Sequence, residues 1–372
     1  MSIRESALAA IEPHLANIAA HAPSVDADGV FPTDTIAALR DAGLFGLVTP
    51  TEHGGLGGSF GDAAAVVEAI GQRCGTSAMV VCMHYAGAAV LASFGSAAVN
   101  AQVAAGEHLS TLAFSEVGSR SHFWAPLSTA TAQGDGVVLN AKKGWVTSAG
   151  HATGYVWSSQ PLAAEGASTI WLVDRTAQGL SVPSRFDGVG LRGNDSTPVH
   201  ATDVVASEQL GADGDGFNVM MGTVLPIFNL MNAACSVGLI EGALAAATSH
   251  VSGKRYGHVD MALSDLPVIR ALLAKARCQA DATRTLWLDA CAAVDSGRPD
   301  AMLRVLQVKA TANDAAMEIT QTCMRICGGS AFRKDLGVDR YFRDAQAGSV
   351  MAPTSDVLYD FIGKAVCGMD LF

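Results

Sequence analysis

The sequence predicts an α+β protein in three successive parts: an N-terminal helical domain, a middle β-barrel-like domain and a C-terminal four-helix bundle. Three observations carry this. Residues 1–107 are rich in alanine and set apolar side chains at helical spacing. Residues 108–214 break into short β-branched or aromatic runs punctuated by Gly, Asp and Pro. From residue 215 to the end, long helical patterns return.

In chain order, the first stretch, MSIRESALAAIEPHLANIAAHA, carries Arg4, Glu5 and Glu12 and has no continuous apolar run. It reads as an amphipathic helix and not as a signal peptide. A second helix follows from the spacing of Ile36, Leu39 and Leu44, and the glycine-rich run at 53–58 interrupts the pattern as a loop. Residues 78–94 are apolar almost all round, as a buried helix requires. The runs TLAFSE, TATAQ, GVVLNAKKGWVTSA, YVWSSQ, STIWLVDR and LSVPSRF read as strands. Residues 230–250, 266–294 and 301–326 read as the long helices of the bundle.

With 372 residues, 49% of them hydrophobic, the chain can bury a substantial core. Its formal net charge of −11 argues against nucleic acid or an anionic membrane as a partner. Apolar runs stop short of the length a transmembrane helix needs. The eight cysteines form no CxxC pair, which fits a reducing, cytoplasmic setting. Cys323 and Cys327 are four apart on one helical face, and read as small buried residues because no His or acid completes a metal site.

Five segments in fixed order carry a resemblance. They are Leu112-Ala113-Phe114-Ser115-Glu116; residues 138–150, similar to "LNGxKxWITNG"; residues 190–195, similar to "GxRGSD"; residues 214–217, similar to "GxGF"; and RICGGSAF at 325–332 followed by DRYFRDA at 339–345. In these the chain resembles the acyl-CoA dehydrogenase superfamily over nearly its whole length. The resemblance implies FAD, or FMN, between the β-domain and the C-terminal helices. It implies that Leu112, Phe114 and Ser115 meet the flavin pyrimidine, and that Ser121 faces the pyrophosphate. Trp145 and Thr147 would flank the ring, Gly328 and Gly329 would admit a neighbouring subunit's cofactor, and Thr354 would lie near the adenine diphosphate. Taken singly, Trp145 reads as strand packing and the glycine pair as a helix end. The family's "RxxFG" arginine falls at Gly253, so Lys254 or Arg255 would have to reach the cofactor phosphate.

A dehydrogenase of this family needs a carboxylate to take the substrate's α-proton. The glutamate of the family's "YEGT" falls at Ala352, and the alternative position on the helix that opens the C-terminal part falls at Phe228. The arginine that normally meets the coenzyme A end falls at Asn229. The expectation is therefore a reduced-flavin-dependent monooxygenase of a small aromatic, indole-like substrate. It would use O2 and a separate NAD(P)H flavin reductase, since no Rossmann glycine motif follows a strand. Ser121, His122 and His84 are the candidate catalytic groups, with Phe123, Trp124, Phe228 and Met351 as substrate walls. His84 also reads as a packed core histidine. Two alternatives stand beside this: an acyl-CoA or acyl-carrier-protein dehydrogenase with a relocated base, and a catalytically silent flavin-binding subunit. A homodimer or homotetramer is expected.

Overall fold

The computed structural model describes residues 1–119, 122–134, 136–253, 255–258 and 260–371. The chain opens with α1 (Ile3–Asp28), started by a reciprocal cap in which the Ser2 hydroxyl accepts from the Glu5 N–H and the Glu5 carboxylate accepts from the Ser2 N–H. Its buried residues, Ala7, Ile11, Leu15, Ile18, Ala22 and Val25, recur every three or four positions and face the core. Then come α2 (Thr33–Asp41), α3 (Phe60–Gly71), α4 (Gly75–Phe94) and α5 (Ala97–Ala104). Ser59 and Asp62 repeat the same cap on α3. Every residue of α4 from Gly75 to Leu91 is buried.

The middle part holds β1 (Ser110–Ala113), β2 (Thr129–Gln133), β3 (Gly136–Val146), β4 (Gly154–Ser159), β5 (Thr169–Asp174), β6 (Leu180–Ser181), β7 (Thr197–Val205) and β8 (Glu208–Leu210). They form two four-stranded sheets, ordered β1-β4-β5-β8 and β2-β3-β7-β6. A core of Leu139, Tyr155, Trp157, Trp171, Val173 and Val199 joins the two sheets. β1 runs parallel to β4 in the register Ser110↔Gly154 and is the edge of its sheet. Between the sheets lies a charged pair: Lys143 Nζ donates to Glu116 Oε1 at 2.6 Å, to the Ser158 carbonyl at 2.7 Å and to Ser158 Oγ at 3.0 Å.

In the last part, α6 (Gly216–Val219) passes through a π-helical turn at Met220–Val224 into α7 (Leu225–Gly253). A hairpin of β9 (Arg255–Tyr256) and β10 (Met261–Ala262) leads to α8 (Pro267–Asp295), α9 (Ala301–Cys327), α10 (Val338–Val350) and α11 (Ser355–Val366). α7 is the central helix, packed on α3, α4, α8, α9 and α10. A Cβ on Gly238 would stand 2.7 Å from the Glu68 carbonyl, so glycine is what lets α7 cross α3 this closely. The two helical stretches apolar enough to span a membrane, Gly75–Phe94 and Gly216–Gly253, are 83% and 94% buried in the protein, as core helices are. Cys323 and Cys327 are buried on α9 as free thiols.

α10 is tied to distant parts of the chain. Arg343 Nη1 and Nη2 each donate to the Asp26 carboxylate on α1 at 2.6 Å, and the Leu191 N–H donates to Asp344 Oδ1 at 2.7 Å. Gly190 permits the second contact, since a Cβ there would lie 2.4 Å from the Arg343 carbonyl.

Candidate active site

The three parts enclose a cavity of about 1200 Å³. Met79 and Met83 enter it from α4, Val224, Leu225 and Phe228 from the start of α7, and residues 351–353 from the end of α10. The β-domain closes the opposite side with Leu112 in β1, Phe114 and Ser115 just after it, and Trp145 and Thr147 at the end of β3. Loop 186–191 forms the rim.

The β-side fits a flat, hydrogen-bonding ring system. β1 is an edge strand, so one row of its backbone groups has no strand beside it. Trp145 has φ 57° and is 74% exposed, at a point where β3 shifts register against β7. A left-handed tryptophan with an uncovered indole costs on the order of 1 kcal/mol or more, and a planar group stacked on it would offset that cost. Packing within this chain is therefore not what Trp145 does. Thr147 lies beside it, with its carbonyl accepting from Thr111 Oγ1 at 2.7 Å. Leu112, Phe114, Ser115, Trp145 and Thr147 are thus brought to one wall, and a flavin ring suits it.

Other expected site residues fall elsewhere. His84 is fully buried; its Nε2–H donates to the Phe45 carbonyl at 3.0 Å, and its Nδ1 accepts from the Ser110 N–H at 3.2 Å. Burial holds its pKa down at about 4, so it stays neutral, with no nitrogen left for a substrate. As a catalytic candidate it is corrected to a core histidine joining α4 to β1. His122 is exposed and outside the cavity lining, its ring 5.3 Å from that of Trp124. Phe123, Phe228 and Met351 do line the cavity, whereas Trp124 stands behind Phe123 with the rings 5.2 Å apart. Thr354 caps α11 by accepting from the Val357 N–H. Arg255 is exposed and paired with Asp260 at 2.7 Å. Gly328 and Gly329 lie in open space at the end of α9. Ser121 and Lys254 lie outside the described residues.

The two positions at which the family carries a base, here Phe228 and Ala352, line the cavity. Asn229 does not; it is buried toward α9, with Nδ2 donating to the Val305 carbonyl at 3.4 Å. Among the described residues, the carboxylates on the lining are Glu116 and Asp187. Burial alone would raise the Glu116 pKa, but Lys143 and hydrogen bonds from Ser128 and the Leu127 N–H hold it below the usual range. Glu116 is therefore locked as an anion. Asp187 has one partner, Arg192 Nη1 at 3.2 Å, and its side chain is otherwise open.

Two features had no place in the sequence reading. Lys309 on α9 is fully buried behind the cavity wall. Its Nζ donates to the carbonyls of Gly348 at 3.2 Å, Met351 at 3.0 Å and Pro353 at 2.8 Å, and it sits 5.8 Å from the centre of the Phe228 ring. Burial pushes its pKa down to about 7. Because the Met351–Ala352 peptide is trans and its carbonyl points at Lys309, the N–H of Ala352, a residue that lines the cavity, points away from Lys309. Among the described residues that N–H has no acceptor. The sequence signal was available: Lys309 shares the helical register of the buried Val305, Ala312 and Ala316.

Beneath the cavity, beyond Met79 and Leu191, Asp344 is buried with Oδ2 unpartnered, and Asn232 Oδ1 is unpartnered beside it. Burial pushes the Asp344 pKa up to about 6.

Comparison with known proteins completes the assignment. Three profiles match in order: "Acyl-CoA dehydrogenase, N-terminal domain" at residues 2–106, the "middle domain" at 111–204 and the "C-terminal domain" at 214–367. The probable acyl-CoA dehydrogenase fadE25 of Mycobacterium leprae is 27% identical over 94% of this chain and 91% of its own length. Butyryl-CoA dehydrogenase from Megasphaera elsdenii superposes with a TM-score of 0.91 at 22% identity, covering 99% of this chain and 98% of that one. TdsC from Paenibacillus sp. A11-2, solved with FMN and indole, gives 0.87 at 20% identity over 97% of each chain. At such identities the two structures show the fold alone. The full-length curated relatives are acyl-CoA dehydrogenases, and they overturn the expected indole-type monooxygenase. That expectation took the lost side-chain base as a change of chemistry, and gave no weight to a backbone N–H that the sequence does not display. With this fold, a wall suited to a flavin and three profiles spanning nearly its whole length, the chain belongs to the acyl-CoA dehydrogenase superfamily of flavin-dependent oxidoreductases.

Proposed function

We propose that this protein is a flavin-dependent dehydrogenase of acyl thioesters whose proton acceptor lies outside the two usual positions. One observation carries the reading: Ala352, whose N–H has no acceptor among the described residues, lines the same cavity as Phe228, Met351 and Met79. A free backbone donor beside apolar walls suits a carbonyl oxygen flanked by an alkyl chain. The volume, about 1200 Å³, exceeds the ~300–1,000 Å³ typical of single small-molecule sites, which supports a site shared by a ring system and an acyl group. When bound, the flavin supplies the hydride acceptor.

The chain's own groups would divide the remaining work. The Ala352 N–H binds the thioester carbonyl and makes the α-proton more acidic. Asp187, the lining carboxylate without a lysine lock, takes that proton; its ion-pair partner is Arg192 Nη1 at 3.2 Å. Met79, Met83 and Phe228 exclude water from the reacting carbons. We take the flavin to be FAD. Arg255 and the Gly328–Gly329 turn lie away from this cavity, which supports their serving the adenine end from a second copy of the chain. Phe332, 86% exposed beside that turn, suits such an interface.

The test is anaerobic mixing of the flavin-loaded protein with short and medium acyl-CoA and acyl-carrier-protein thioesters. Loss of the visible flavin band with formation of the enoyl thioester is the expected result. Asp187→Asn should slow the bleaching by about 10²-fold or more. Ala352→Pro deletes the N–H where Met351 already has the extended backbone that precedes proline, and should weaken thioester binding by about tenfold. No bleaching with any thioester would refute the assignment.

A further inference from the structure

A buried ammonium ion without a carboxylate is an expensive feature. Removing it from water costs several kcal/mol unless other groups replace the water. Among the described residues Lys309 has no ion-pair partner, and three carbonyls take its three N–H bonds. The nearest titratable group named by its electrostatics is the Cys82 thiol on α4, itself buried. The three acceptors come from the end of α10 and from both sides of Ala352. The ammonium therefore sits directly behind the peptide of Ala352, which lines the cavity.

We propose that Lys309 is an electrostatic positioning residue: through the Met351 carbonyl it holds and polarises the Ala352 N–H, and it supplies the positive field for the negative charge that forms on a bound thioester carbonyl. This rests on the thioester reading above. A peptide whose carbonyl binds a cation is a stronger donor at its N–H, because hydrogen bonds in series polarise one another. Lys309 does not touch the substrate. Its influence passes through one peptide group and through a region with little water to screen it. No carboxylate stands at Ala352 or Phe228 to oppose that field. A site that has given up its adjacent general base thus retains the other means of acidifying an α-proton, which is to stabilise the enolate.

Two measurements on Lys309→Met and Lys309→Arg test this. The first needs no ligand beyond the flavin. Carbonyl-labelled methionine with nitrogen-labelled alanine selects only the Met261–Ala262 and Met351–Ala352 amides. The Ala352 amide proton should move upfield in Lys309→Met and return toward the wild-type position in Lys309→Arg, with the Ala262 signal fixed as the control. The second uses a 3-oxoacyl thioester, which loses its acidic proton to solvent to give an ultraviolet-absorbing enolate. The enolisation constant of the bound probe should fall by at least about tenfold in Lys309→Met and recover in Lys309→Arg. An unmoved Ala352 amide, or an unchanged enolisation constant in folded Lys309→Met protein, would overturn the proposal. A wild-type protein that binds no thioester refutes the dehydrogenase reading instead, and the amide shift still decides what Lys309 does.

Discussion

Replacing Asp344 by asparagine should stabilise the protein above pH 6 and abolish a pH dependence that the wild type shows below it. Asp344 is 2% exposed, with Oδ1 accepting from the Leu191 N–H and Oδ2 unpartnered in a small void shared with Asn232. Burial raises its pKa from 3.8 to about 6; repulsion from Asp26 adds to this, and attraction to Arg340 and Arg343 opposes it. The folded state therefore holds this proton more tightly than the unfolded chain does. Between about pH 4 and pH 6 the native protein binds more protons, so stability falls as pH rises, and above pH 6 the whole penalty is present. At about 1.36 kcal/mol per pH unit the penalty is roughly 3 kcal/mol. Asparagine removes the charge, keeps an oxygen for the Leu191 N–H and offers an N–H toward Asn232 Oδ1. Urea unfolding of both proteins at pH 4.5, 6 and 7.5 measures the difference. Asp344→Asn should be about 1–3 kcal/mol more stable at pH 7.5, and the gap should close toward pH 4.5. A variant that is less stable at pH 7.5, with a gap that ignores pH, would show that Asp344 is held as a stabilised anion and that the reasoning is wrong.

Lys143→Met leaves Glu116 buried without its cation and should cost about 3–5 kcal/mol in chemical unfolding, with Glu116→Gln in the same chain recovering much of it. Trp145→Ala, at a position 74% exposed, should leave the melting temperature of the flavin-free protein within a few degrees. It should weaken flavin binding by about tenfold in a fluorescence titration, because only the stacking surface is lost. Ala352→Glu restores a carboxylate facing the cavity and should raise the rate of thioester bleaching by about 10²-fold or more in a stopped-flow experiment. An unchanged rate would place the reacting carbons away from that position.

The fold was legible because its signals are periodic. The buried stripe of α1, the all-apolar α4 and the alternation of short β-branched runs with turn residues each fix an element type, and five motifs in order fix their arrangement. That Leu112, Phe114, Ser115, Trp145 and Thr147 share one wall was legible as well, since they belong to those motifs and all line the cavity. The chemistry was harder to read. The absence of a carboxylate at Phe228 and Ala352 is visible in the sequence, but the Ala352 N–H is a backbone group, and its direction depends on where Lys309, 43 positions earlier, places its ammonium. His84 illustrates the converse. A histidine in an apolar helix reads more readily as packing than as a catalytic group, and the two backbone groups at its nitrogens decide for packing. His122 next to two aromatic residues suggested a reactive pocket, yet Phe123 turns inward and His122 outward, a choice set by the local turn and not by composition.

The bidentate contact between Arg343 and Asp26 joins residues 317 positions apart. During synthesis α1 is made long before α10, so the Asp26 carboxylate lacks this partner until the chain has grown by those 317 residues. The helical N-terminal part and the β-domain can each collapse earlier on local contacts, but the cavity wall carried by α10 cannot be assembled before then. The site therefore depends on a contact of high sequence separation. Loss of α10 and α11 would uncover apolar surface on α7 and α9, against which they pack.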